Sequence, residues 1–163
     1  MHGFKRILVP SDFSECSSKA LGNAITLAVG LEAELFLLYV GDVATGSKVW
    51  TSNEATRAEL DILEGDEKRL FDEYIKVSRQ VEAESGRAPI PRASLHVRVG
   101  GGEVAAEILK AATDAQIDLI VMGTHGRTSM KDYFVGSTTE RVVERATCSV
   151  LSVKPDGYPY LRD

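Results

Sequence analysis

Five short apolar runs punctuate the chain, and a stretch with helical periodicity separates each from the next. The runs are Phe4–Val9, Ala33–Val40, Ala93–Val99, Asp118–Met122 and Cys148–Val153. The helical stretches between them are Glu15–Gly30, Glu54–Glu84, Glu103–Ala115 and Gly136–Ala146. Alternation of this kind predicts an α/β fold: an open five-stranded parallel sheet, Rossmann-like, with helices on both faces. Right-handed crossovers favour the strand order 3-2-1-4-5. The first and fourth strands are then neighbours, and the chain reverses its winding between them. In open α/β sheets, ligands bind at this switch point, beyond the C-terminal ends of the strands. The 163 residues suit one domain over 1–155, with a short tail over 156–163.

Local patterns support the elements. Ser14 is placed to cap the first helix, whose Ala20, Ala24, Leu27, Ala28 and Leu31 share one face. The second strand is apolar almost throughout, as expected when both faces are covered. The long second helix carries a stripe of Leu60, Leu63, Leu70, Tyr74, Val77 and Val81, and Gly65 inside it marks a kink or break. The third strand alternates Leu95, Val97 and Val99 with Ser94, His96 and Arg98, which reads as a half-exposed sheet edge with His96 at the surface. Val104, Ile108, Ala111 and Ala115 are expected to face inward. Gly41–Asn53 reads as a loop holding Trp50, the place where specificity for a protein partner would lie.

Bulk properties exclude several classes. Hydrophobic residues at 44% and charged residues at 26% fit a globular protein. A net charge of −5 argues against a nucleic-acid surface. No run approaches the ~20 apolar residues of a membrane span. The apolar run after the N-terminal basic residues is too short for a signal peptide, so a cytoplasmic location is expected. Cys16 and Cys148 form no CxxC pair and are expected to be reduced and partly buried.

The chemistry concentrates in Val121–Thr139, VMGTHGRTSMKDYFVGSTT. Gly123, Gly126 and Gly136 lie between a buried strand and the N-terminus of a helix, followed at once by Ser137, Thr138 and Thr139. Glycine allows close backbone approach. A helix N-terminus offers unpaired N–H groups and about half a positive charge, which suits phosphate. The alternative is structural: glycines that turn the chain and a serine that caps a helix. Topology and loop chemistry nevertheless select the same place. The loop after the first strand, PSDFSE, lacks the GxGxxG of a dinucleotide site, and no GxxxxGK[ST] is present. Asp12 in that loop can accept from a ribose hydroxyl, help hold a metal, or form an Asx turn. The chain also lacks a receiver domain's acceptor aspartate after the third strand, where Gly100–Gly102 stand.

Together, Gly123-x2-Gly126-x9-Gly136-Ser137, the N-terminal ILVPSDFSE and the C-terminal CSVLSVKP resemble the universal stress protein family, and within it the ATP-binding branch. The resemblance runs from Phe4 to Lys154 and is weakest over Gly41–Pro91. It implies adenine near Pro10, Asp12 and the Val40 backbone, and ribose near Asp12 and Gly123. Phosphates would be held by Gly126, Arg127, Gly136, Ser137, Thr138 and Thr139. Ser11, Met122, Thr124 and His125 complete the expected set. The ligand is then ATP, or ADP or AMP, with Mg²⁺. The resemblance further implies a homodimer through the last strand, which would be a bare sheet edge; Tyr158, Tyr160 and Leu161 could pack on the partner. Gly100–Gly102 depart from the Gly-x-Pro turn common in the family. Three functions remain open: a nucleotide-dependent switch with a protein partner, a slow ATPase or self-phosphorylating enzyme, and a nucleotide-free interaction module. No residue is singled out as catalytic; His125, in a loop expected to be exposed, reads as a contact residue.

Overall fold

The computed structural model describes residues 3–41, 50–52, 65–86, 95–125 and 135–157. In chain order the elements are β1 (Arg6–Ser11), α1 (Glu15–Leu31), β2 (Glu34–Gly41), β3 (Thr51–Ser52), α2 (Gly65–Ser85), β4 (Leu95–Gly101), α3 (Val104–Asp114), β5 (Leu119–Gly123), α4 (Ser137–Arg145) and β6 (Ser149–Val153). The sheet order is β3-β4-β2-β1-β5-β6. Five of these strands are parallel, in the expected order 3-2-1-4-5. The two-residue β3 adds itself antiparallel to the outer edge of β4, pairing Thr51 with Val97 and Ser52 with His96. The expected loop Gly41–Asn53 therefore contains a short strand.

Side chains alternate between two cores, as the period of a strand requires. Ile7, Val9, Leu35, Leu37, Leu119 and Val121 face α1 and α2. Leu8, Phe36, Leu38, Ile120 and Met122 face the other way, onto α3, α4 and Trp50. Strands covered on both faces explain why β1, β2 and β5 read as continuous apolar runs. The Asp118 carboxylate accepts the backbone N–H groups of Lys5 (2.8 Å) and Arg6 (3.1 Å), which fixes the start of β1 against β5.

Several helix boundaries follow from caps. Ser14 stands at the N-cap of α1, and its hydroxyl accepts from the Ser17 N–H. Gly65, at φ 69, opens α2, so the break expected there is the start of the described helix; Leu60 and Leu63 lie outside the described residues. Glu103 caps α3 by accepting from Ala105 and Ala106. Those bonds, led by the one from Ala106, hold its carboxyl below the usual range.

Three expectations are corrected. Arg98 is not on an exposed edge face: it is 1% exposed. Trp50 and α3 cover that face, and α3 supplies Glu107 (3.7 Å) and Asp114 (3.3 Å) as its ion partners. His96, half-buried, stacks on Phe36 with ring centroids 4.4 Å apart. Val104 is exposed rather than inward; with Glu103 as cap, the buried face of α3 is Ala105, Ile108, Ala111 and Ala112.

Candidate nucleotide site

The expected site residues within the described chain gather at one place, the C-terminal ends of β1, β2 and β5. Strands β1 and β5 are direct neighbours, paired at Ile7–Leu119 and Leu8–Ile120. The loops that leave them, Asp12–Ser14 and Thr124–His125, therefore start side by side. On the other flank of β1, Ser11 pairs with Tyr39, one residue before Val40.

The β1–α1 loop is held by short-range bonds. Ser11 Oγ accepts the Phe13 N–H (3.1 Å), and Asp12 Oδ1 accepts the Ser14 N–H (2.9 Å). The second bond is the Asx-type turn considered from the sequence. Ser11 is buried and its hydroxyl lies 3.5 Å from that of Ser17, so it serves the loop's own structure. Asp12 is half-buried at the loop's tip.

Past β5 the chain is tied on both sides of residues 126–134. The Thr124 N–H donates to the Val153 carbonyl (2.9 Å), and the Gly136 N–H donates to the Thr124 carbonyl (2.7 Å). The Thr139 hydroxyl donates to the Gly123 carbonyl (2.8 Å). These bonds set the N-terminus of α4 at the end of β5, next to the β1 loop. Thr139 spends its hydroxyl proton on this anchor, which leaves its backbone N–H in the first turn of α4. Gly136 occupies the N-cap with φ −61 and ψ 149, and among the described residues no side-chain cap bond is made there. The first N–H groups of a helix have no partner within it. Ser137 is exposed and Thr138 half-buried beside them. The arrangement is a helix N-terminus, with its dipole and first N–H groups, at the switch point of the sheet, a geometry that suits an anion.

Residues 3–154 match the sequence profile of the universal stress protein family.

The chain belongs to the universal stress protein family. A universal stress protein of Methanocaldococcus jannaschii is 35% identical over 153 residues, covering 93% of this chain and 82% of that protein. The solved structure of universal stress protein UspA from Lactobacillus plantarum superposes with a TM-score of 0.67 at 26% identity, covering 94% of this chain and 99% of that one. An Arabidopsis thaliana universal stress protein family protein, solved with AMP bound, shares the fold at a TM-score of 0.57 and 13% identity, covering 94% and 93% of the two chains.

Within this universal stress protein, two site residues differ from expectation. His125 is 4% exposed, not a surface loop residue, and its Nδ1 lies 2.7 Å from the Thr124 hydroxyl, which is itself buried. Gly123 has a packing reason to be glycine. A Cβ there would stand 2.7 Å from Cys16 Sγ and 3.3 Å from the Cys16 carbonyl carbon, because α1 starts directly over the end of β5. Cys16 is buried and reduced, with its thiol directed to the Val153 carbonyl at 3.3 Å. Cys148 is also a free thiol, half-buried, and burial pushes it up from its ordinary value. Gly126 and Arg127 lie outside the described residues, as do Tyr158, Tyr160 and Leu161.

Sequence reasoning missed Phe13 and Arg69. Phe13 adopts φ 60, a left-handed conformation that bulky residues rarely take. Its ring contacts Tyr39, with centroids 5.1 Å apart, and the Arg69 guanidinium of α2 sits 3.8 Å from its centroid. A phenylalanine is a residue type from which a left-handed angle is not expected, and Arg69 is distant in sequence. Among the described residues, no cluster of three or more His, Cys, Asp or Glu side chains is placed to hold a metal, and no helix is long and apolar enough to cross a membrane.

Proposed function

We propose that this chain binds an adenine nucleotide, ATP or its ADP and AMP products, at the C-terminal ends of β1, β2 and β5, and acts in stress response as a nucleotide-dependent switch. The observation that carries the reading is the N-terminus of α4. Its cap position is a glycine, and hydrogen bonds to Thr124 and Gly123 fix it at the switch point of the sheet. Backbone N–H groups of Ser137, Thr138 and Thr139, with the hydroxyls of Ser137 and Thr138, hold the phosphates. Gly126 and Arg127 of the same motif would add to the phosphate site, and Mg²⁺ would supply further charge neutralisation there. Asp12 accepts from the ribose, and Pro10 with the backbone near Val40 borders the base. The AMP bound to the Arabidopsis protein of the same fold supports an adenine nucleotide as the ligand class.

The reading extends to a homodimer in the cytoplasm. Strand β6 lies at the end of the sheet order. Beside it, Val135 (48%), Val143 (55%) and Leu151 (40%) expose apolar surface. Among the described residues no strand pairs with the outer edge of β6, and such an edge next to apolar side chains suits a second copy of the chain.

The test is calorimetric titration of nucleotide-stripped protein with ATP and Mg²⁺, beside Gly136→Asp. The Gly136 backbone angles accept any L-residue. An aspartate there would cap α4 with its own carboxylate and raise stability by a few tenths of a kcal/mol. The same carboxylate would occupy the N–H groups and repel phosphate. Micromolar binding by the natural chain, lost in a variant that melts no lower, is the expected result. Equal affinity in the two proteins would remove the phosphate site from α4.

A further inference from the structure

Phe13 is a non-glycine residue in the left-handed region, at φ 60, in the loop that carries Asp12. Residues in such conformations persist where the surroundings over-determine them, and they cluster at ligand sites. Here the surroundings are explicit. The Phe13 N–H is taken by Ser11 Oγ at 3.1 Å. One ring neighbour is Tyr39 on β2, tilted at 49° with centroids 5.1 Å apart. Another is the Arg69 guanidinium, 3.8 Å from the ring centroid. Arg69 lies in the second turn of α2, the helix that packs against α1 and bonds its first turn through Glu73 and Ser18. On either side of Phe13, Asp12 and Ser14 are joined by the bond from the Ser14 N–H to Asp12 Oδ1, at 2.9 Å. The three-residue turn is therefore one unit: moving the Phe13 ring moves the backbone that bears the Asp12 carboxylate.

We propose that Phe13, clamped between Tyr39 and Arg69, is a positioning residue that sets the Asp12 carboxylate for the sugar hydroxyls of the nucleotide, so that sugar selectivity is controlled from α2. This rests on the nucleotide reading above and assigns its sugar specificity to residues that do not touch the ligand. A cation held against an aromatic face contributes a directional restraint worth about two- to five-fold in an equilibrium at an exposed site. Arg69 holds the ring without blocking the loop, and Phe13 transmits the restraint through the backbone. Asp12 converts it into preference for a ribose hydroxyl over hydrogen. The phosphates, held on α4, are independent of the clamp.

The experiment measures dissociation constants of the full chain for ATP, 2′-deoxy-ATP, 3′-deoxy-ATP and AMP. The proteins are the natural chain, Arg69→Met, Arg69→Lys and Phe13→Gly. The natural chain should favour ATP over at least one deoxy analogue by about ten-fold or more, the strength of a hydrogen bond to a charged group. Arg69→Met should shrink that preference about two- to five-fold while leaving the ratio of ATP to AMP affinity unchanged. Arg69→Lys should restore part of it, since an ammonium also sits on a ring face. Phe13→Gly adopts the same backbone angle without a ring and should lower the preference at least as far as Arg69→Met does. Arg69 is exposed, so its variants keep the fold, and a melting curve checks each protein. Sugar preference intact in Arg69→Met and Phe13→Gly overturns the clamp and leaves the nucleotide site standing. Equal weakening of all four ligands also overturns it, because that is general loosening. A natural chain that binds nucleotide without sugar preference overturns the role given to Asp12. One that binds none overturns the nucleotide reading itself.

Discussion

Gly123→Ala tests whether the first glycine of the loop answers to the ligand or to the fold. The added methyl would stand 2.7 Å from Cys16 Sγ, 3.3 Å from Cys16 Cβ and 3.3 Å from the Cys16 carbonyl carbon. Favourable carbon contacts lie near 3.5–4.0 Å, so all three are too close. The sulfur is the worst offender and is not free to swing, since the thiol is buried and directed to the Val153 carbonyl. The carbonyl carbon is backbone in the first turn of α1 and moves only if the helix moves. Overpacking a filled site costs about 1–3 kcal/mol, and contacts on both side chain and backbone place this one near 2 kcal/mol. For a chain of this size that is roughly 4–8 °C in Tm. The assay is thermal and urea unfolding of nucleotide-stripped protein, with Cys16→Ala as the second arm. Removing the sulfur relieves the 2.7 Å contact and leaves those at 3.3 Å, so the double variant should recover part of the loss, with a coupling of about 1 kcal/mol. A Gly123→Ala chain within about 0.5 kcal/mol of the natural one, or strictly additive costs, would refute the packing argument. If the argument holds, weak nucleotide binding by a Gly123 variant says nothing about phosphate contact, and Gly136 is the position that reports on the ligand.

Tyr74 is buried, and burial pushes its hydroxyl up from 10.0 to about 12. A raised folded value means a contribution fully present below pH 10 and lost as pH climbs towards 12, with a slope of up to about 1.4 kcal/mol per pH unit; Tyr74→Phe should flatten that stretch of the urea-stability profile. Arg98→Ala should cost about 3 kcal/mol, because it opens a cavity where a fully buried side chain stood. Arg98→Met keeps the stem and should cost about 1 kcal/mol or less; equal losses in urea denaturation would show that the ion pairs, not the packing, hold the site. Val143→Glu places a charge on the exposed apolar patch beside β6 and should shift sedimentation at micromolar concentration from dimer to monomer; a natural chain that is already monomeric at that concentration would dispose of the edge-pairing proposal.

The parts of this structure legible in the sequence are those written in periodicity. Runs such as Leu119–Met122, apolar at every residue and too short for a helix, fit a strand covered on both faces, and the alternation of such runs with helical stretches leaves few topologies. The position of the candidate site follows from the same topology. Arg98 shows where periodicity fails: alternation correctly put it on the face opposite Leu95 and Val97. Whether that face meets water depends on Trp50 and on the acids of α3, partners no local pattern announces. His125 fails for a related reason. A loop position suggests exposure, yet His125 is 4% exposed, with its ring against the buried Thr124 hydroxyl. Phe13 is the deepest omission. The letters PSDFSE give a turn and a cap, and both are present. They do not give the left-handed angle, and the groups against that ring, Tyr39 and Arg69, stand 26 and 56 positions further along the sequence. A motif names the residues that meet a ligand. The residues that hold a motif in shape are chosen by the fold, and at this site they come from β2 and α2.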